Sequence, residues 1–175
     1  MEEQKLLQTP SQTVGPFFAY GLTPEQYHYD FSSAVKPSVD GTKTVKISGQ
    51  VLDGEGIPIP DAMVELWRYD GDQRIIARCG TGTNQACTFD FKVPGPHVNE
   101  GEVPYFTVIV FMRGQLIHSY TRVYFEGEAN ETDPVFQAVP EERRPTLVAK
   151  KISDQEVFQF NIVMQGENET VFFDL

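Results

Sequence analysis

Between Thr44 and Leu175 the apolar residues fall mainly at every second position, which is the period of a half-buried strand. In "TVKISGQVLDGEGIPIPDAMVELWRYDG" Val45, Ile47, Gly49 and Val51 share one face. After the Gly- and Pro-rich turn "DGEGIPIP", Ala62, Val64 and Leu66 share another. This reads as two strands joined as a hairpin. "CTFDFKVPGP" is a further strand stopped by Pro94, and "VPYFTVIVFMRG" and "QLIHSYTRVYF" form a hairpin about "RGQ". "EVFQFNIVMQG" and "ETVFFDL" supply the last strands, and residues 71–82 read as a short loop. In "ETDPVFQAVPEERRPTLVAK", Asp133 is suited to cap a short helix with Pro134 at its first position. That helix ends near Pro140, or the segment holds only turns. Residues 1–43 lack periodicity and read as an N-terminal arm and loop whose aromatics need a surface to bury against. About seven short strands separated by turns predict an all-β fold, a β-sandwich spanning residues 1–175 as a single domain.

One strand ends unexpectedly. By alternation Tyr105, Thr107, Ile109, Phe111 and Arg113 share a face, so an arginine continues a row that looks mostly like core. With 40% apolar and 22% charged residues the chain is ordinary for a globular protein. Its formal net charge of -11 argues against a nucleic-acid partner. Any anionic ligand would have to be met by local cations, which draws attention to Arg113 and Arg122. An arginine at a strand end can equally pack its stem and leave its head in water. The N-terminus has early acids and no apolar h-region, and no apolar run reaches a membrane span; the expected location is the cytoplasm. Cys79 and Cys87 form either a hairpin disulfide or, as preferred here, two reduced thiols.

Nucleophile and metal motifs are missing from the local sequence. There is no G-x-S-x-G, and Ser119 and His118 are strand neighbours that point to opposite faces. The histidines His28, His97 and His118 are far apart, with neither H-x-H nor H-E-x-x-H. On residue patterns alone the chain is a β-sandwich without an assigned function.

Six segments taken together carry more. "TPSQTVGPFFAYGL", "ISGQVLDGEGIPIPDAMVELWRYD", "FKVPGP", "FMRGQLIHSYTRVYF", "RRPTLVAK" and "QGENETVFFDL", in this order, resemble the intradiol ring-cleavage dioxygenases. The resemblance runs nearly end to end. It implies a transthyretin-like β-sandwich with an N-terminal arm. It also implies an enzyme that opens a catechol ring between its hydroxyls with non-haem Fe(III) and dioxygen. In that family two tyrosines and two histidines hold the iron. Here the H-x-H positions read Tyr105 and Thr107, and His97 stands where one tyrosine would follow the "PGP" turn. The resemblance therefore implies a chain without iron ligands. Such a chain pairs with a homologous, iron-bearing beta subunit and lends wall residues to a pocket for a small aromatic acid. The wall positions carried over are Thr13, Gly15, Pro16 and Arg113; Phe17 stands where the family commonly has tyrosine. A transthyretin-like binding module without an enzyme role is the alternative. It rests on the "GQVLDGEGIPIPDAMVEL" frame, which such modules share.

Overall fold

The computed structural model describes residues 20–41, 43–70, 73–95, 103–153 and 155–174. Nine strands occur among them: β1 (Thr44–Leu52), β2 (Met63–Asp70), β3 (Gln73–Gly80), β4 (Thr88–Pro94), β5 (Tyr105–Phe111), β6 (Ser119–Phe125), β7 (Val148–Ser153), β8 (Val157–Gln159) and β9 (Ile162–Val163). Hydrogen bonds link them in the order β3-β2-β5-β6-β7-β8-β1-β4, with β9 beside β1. The path folds over at β7. Val148 and Ala149 pair parallel with β6, whereas Lys150, Lys151 and Ser153 pair antiparallel with β8 across a register shift. Two layers result, β3-β2-β5-β6 and β8-β1-β4.

Alternation decides what fills the space between them. On β1 Val45, Ile47 and Val51 point inward, and on β4 Phe89, Phe91 and Val93 do so. From the facing layer come Val64, Leu66, Phe106, Val108, Val110 and Val123, all fully buried. Each such side chain contributes about 1.5–3 kcal/mol of transfer free energy. A smaller cluster lies on the other side of β6, where Tyr124 packs with Phe136, Val139 and Leu147. Those last three come from helix α1 (Pro134–Ala138) and the 3-10 helix Glu141–Leu147 with its approach. As the sequence predicts, Asp133 caps α1: its carboxylate accepts from the N–H groups of Val135 and Phe136 at 2.7 and 3.0 Å.

Four expectations need correction. Residues 73–80 are not loop but strand β3, paired along its whole length with β2. β1 and β2 are not a hairpin, because they sit in different layers and the segment between them crosses the edge of the sandwich. The segment "ETVFFDL" forms no strand among the described residues; it touches β6 through the single bridge Tyr120–Phe173. Strand β5 ends at Phe111, so Arg113 lies beyond it, in the turn carried by Gly114 at φ 87°. The core face of β5 is accordingly the other row, Phe106, Val108 and Val110, and the Tyr105–Phe111 row is only partly covered.

Candidate functional site

Two groups of polar side chains sit on or beside the partly covered face of β5. The first is at the strand's C-terminal end. Arg113 Nη2 donates to Asp61 Oδ2 at 2.7 Å, and the Tyr27 hydroxyl donates to Asp61 Oδ1 at 2.6 Å. The Arg113 side chain is 53% exposed while that of Asp61 is 11% exposed, so the carboxylate is anchored and the guanidinium faces out. Burial, followed by the neighbouring Asp61 carboxylate, holds the Tyr27 phenol protonated well above its ordinary range. Beside Arg113 the β5–β6 connection and the C-terminal segment enclose an open cleft of about 550 Å³. Its lining includes Gln115, His118, Tyr120 and Phe172. Leu116 and Ile117 stand at its rim, 67% and 78% exposed.

The second group lies at the N-terminal end of β5. Thr107 faces Arg122 across the β5–β6 ladder, and Tyr105 faces Tyr124. The Arg122 guanidinium lies 4.2 Å over the Tyr105 ring centroid. It donates to the Tyr124 hydroxyl at 3.1 Å and approaches Asp133 at 3.4 Å. Burial pushes the Tyr124 phenol up to about 12, against the pull of Arg122 in the other direction. Tyr105 and Thr107 are the positions at which the sequence resemblance expects the family's histidine pair. The donor chemistry does not fit a ferric ion. A fixed guanidinium stacks on the only phenol of the pair, Thr107 offers a neutral hydroxyl, and cations repel across such distances in a partly desolvated site. Among the described residues no group of three or more His, Cys, Asp or Glu side chains is placed to hold a metal ion.

Arg113 immediately precedes Gly114 of the cleft lining and is paired with Asp61 instead of lining the cleft itself. Thr13, Gly15 and Pro16, with Phe17 and His97, lie outside the described residues. Cys79 and Cys87 are free thiols rather than a disulfide. Asp61 and Tyr27 escaped the sequence reading. They are 52 and 86 residues from Arg113 along the chain, and the local motif "IPIPDAM" marks Asp61 only as part of a turn. No described helix is long and apolar enough to cross a membrane.

Comparison with known proteins extends across the whole chain. The protocatechuate 3,4-dioxygenase alpha chain of Burkholderia cepacia is 45% identical, with 97% of this chain and 98% of that one covered. The alpha chain of the same name from Pseudomonas putida is 33% identical over 99% of this chain and 100% of that one. No protein-family model matches. Among solved structures, the dioxygenase domain of a dioxygenase–carbohydrate-binding fusion from Streptomyces sp. SirexAA-E aligns with a TM-score of 0.58 at 20% identity, covering 90% of this chain and 98% of that domain. Hydroxyquinol 1,2-dioxygenase from Pseudomonas putida DLL-E4 aligns with a TM-score of 0.53 at 16% identity over 94% of this chain and 68% of its own. These structures share the fold. By these nearly full-length sequence matches the chain belongs to the protocatechuate 3,4-dioxygenase alpha-chain family of intradiol ring-cleavage dioxygenases.

Proposed function

We propose that this chain is the non-catalytic alpha subunit of an enzyme that cleaves protocatechuate (3,4-dihydroxybenzoate) with dioxygen. The product is 3-carboxy-cis,cis-muconate, in which both atoms of dioxygen end in the two new carboxyl groups. The ferric ion of this enzyme is held by a homologous beta subunit, and the alpha chain supplies part of the pocket wall. Family membership supports the reaction class. The observation that supports the division of labour is the Arg122 guanidinium stacked on Tyr105, a position where the family resemblance expects a metal-binding histidine.

In this reading Arg113 serves the substrate. Its half-exposed guanidinium keeps N–H donors free of Asp61, stays charged at any working pH, and matches a carboxylate in a two-pronged geometry. Against a net charge of -11, such a local cation is what an aromatic carboxylate requires. The family resemblance assigns Thr13, Gly15 and Pro16 to the same pocket wall.

Co-expression with the beta chain tests the whole reading. The pair contains one iron per beta chain and turns over protocatechuate, whereas the isolated alpha chain binds no ferric iron and lacks the tyrosinate-to-iron absorption band. Stoichiometric iron with turnover in the purified homomer would overturn it. In the assembled enzyme Arg113→Ala raises the KM for protocatechuate by about tenfold or more, the loss of one charge-assisted contact.

A further inference from the structure

The Arg113 guanidinium does not stand alone, and what it is tied to has consequences for specificity. We infer that Asp61, backed by Tyr27, is the positioning residue that aims Arg113 at the substrate carboxylate; this deepens the proposed function and rests on it. The chain of contacts runs from rigid to mobile. Asp61 lies in the segment that crosses from β1 to β2, where its N–H donates to Gly82 O at 3.0 Å. The next residue is pinned as well: Ala62 N donates to Thr81 Oγ1 at 3.1 Å, and the Thr81 hydroxyl donates to Ile59 O at 2.9 Å. Asp61 adopts φ 58°, a left-handed conformation that is uncommon outside glycine and tolerated best by Asp and Asn. Strain of this kind persists where the surroundings hold it. Here they hold a carboxylate whose two oxygens are both engaged, Oδ1 by the Tyr27 hydroxyl and Oδ2 by Arg113 Nη2.

An exposed ion pair normally contributes little, since two long side chains must be ordered in water. In this pair only one partner is exposed, and the Asp61 side chain is short, 11% exposed and fixed by Tyr27. The ordering cost therefore falls on Arg113 alone and is met before substrate arrives. Pre-organisation of this kind lowers the cost of binding without adding a contact to the ligand. The single Nη2 bond leaves the guanidinium's other donors directed away from Asp61 for a carboxylate.

Asp61→Asn separates these contributions. Asn keeps the left-handed backbone but is uncharged and has one accepting oxygen where Asp61 uses two, for Tyr27 and for Arg113, so the charged anchor is lost and the two donors compete for what remains. In the assembled enzyme the dissociation constant of a monohydroxybenzoate, measured by equilibrium titration, and the KM for protocatechuate both rise by about five- to tenfold, with kcat within about twofold. Tyr27→Phe moves both constants in the same direction by a smaller factor. The preference for protocatechuate over unsubstituted catechol, as a ratio of kcat/KM, falls with them. In an Arg113→Ala background Asp61→Asn adds no further loss, which a general disturbance of the fold would not reproduce. If Arg113→Ala weakens binding while Asp61→Asn leaves it unchanged or tightens it, Asp61 does not position Arg113. If Asp61→Asn weakens binding equally with and without Arg113, its effect is on the fold and the inference fails. If Arg113→Ala itself leaves the dissociation constant unchanged, the substrate role of Arg113 falls, and this inference with it.

Discussion

The guanidinium of Arg122 lies 4.2 Å over the ring of Tyr105, and it joins the sheet to the capped end of α1 through Asp133 at 3.4 Å. Asp133 carries two loads, because the same carboxylate caps the helix through Val135 and Phe136. Removing the arginine alone sacrifices a stacking contact, the hydrogen bond to Tyr124 and a long ion pair, together about 2 kcal/mol. Removing the carboxylate also uncaps α1, for about 2–3 kcal/mol in all. Urea unfolding followed by fluorescence of Trp67, the chain's single tryptophan, should therefore rank Asp133→Ala as more destabilising than Arg122→Ala. Asp133→Asn, which keeps a capping oxygen, should fall nearer the wild type than Asp133→Ala.

A second buried charge is better paired. Glu65, 5% exposed, accepts from Arg78 Nε at 2.7 Å and from the Trp67 indole at 2.8 Å, on adjacent strands β2 and β3. Glu65→Ala leaves the Arg78 guanidinium partly buried without its carboxylate, a loss of about 3 kcal/mol. Exchanging both for apolar residues costs much less, since no charge is then stranded. Denaturation of Glu65→Ala and of Glu65→Leu/Arg78→Met measures the difference, and equal losses in the two would contradict it.

Much of this architecture was legible because burial wrote it into the sequence at period two. β1, β4 and β5 each bury one clean row, and the Asp133–Pro134 pair announced α1. β7 gave no such signal: of "VAKKIS" only Ala149 is buried, so its pairing depends on partners far along the chain. β3 hides its inward row, Ile75, Ala77 and Cys79, among arginines and small residues, and looked like a loop. "ETVFFDL" misled in the other direction, since its phenylalanines pack against the sheet without extending it. Arg113 was visible, but Tyr27 and Asp61 meet it only through tertiary structure, and no local spacing encodes that meeting.

Acid should loosen the N-terminal segment first. Glu25 accepts from the backbone of Ser33 at 2.9 Å and pairs with Lys36, which lowers its pKa from 4.5 to about 2, the Lys36 hydrogen bond being the main cause. A depressed carboxylate contributes stability above its unfolded value and loses it as the pH falls through the folded one. The contribution is present above pH 4.5 and disappears towards pH 2. Both side chains are more than 40% exposed, so solvent screening keeps the effect below about 1 kcal/mol and salt reduces it further. Glu25→Gln should flatten the acid limb of the stability curve while leaving the neutral plateau within that margin.

The two thiols should be silent in the native state. Burial pushes Cys79 up to about 11 and also raises Cys87, and both side chains are buried. The nucleophile is the thiolate, so depressed ionisation and poor access act together. An aromatic disulfide reagent at neutral pH should titrate neither thiol in the folded chain and both in denaturant. Prompt native labelling of either would contradict the burial.

The severest single change should be the smallest. Gly49 sits on β1 where Phe160, between β8 and β9, crosses the strand, and Phe160 N donates to Ser48 O at 2.9 Å. A methyl group on Gly49 would run into the Phe160 carbonyl, with the Phe89 ring close behind. Both neighbours are fixed, the carbonyl because it is backbone and the ring because it is 1% exposed in the core. Relief would require β1 to move away from the crossing segment, breaking the parallel pairing with β8 and β9 that closes this layer. Gly49→Ala should therefore destabilise by on the order of 3 kcal/mol or more, although alanine suits a strand better than glycine does. Gly21→Ala, where among the described residues nothing lies within reach of the added carbon, is the control and should remain close to wild type in the same urea titration. Matching midpoints for the two variants would mean that β1 tolerates a side chain at the crossing.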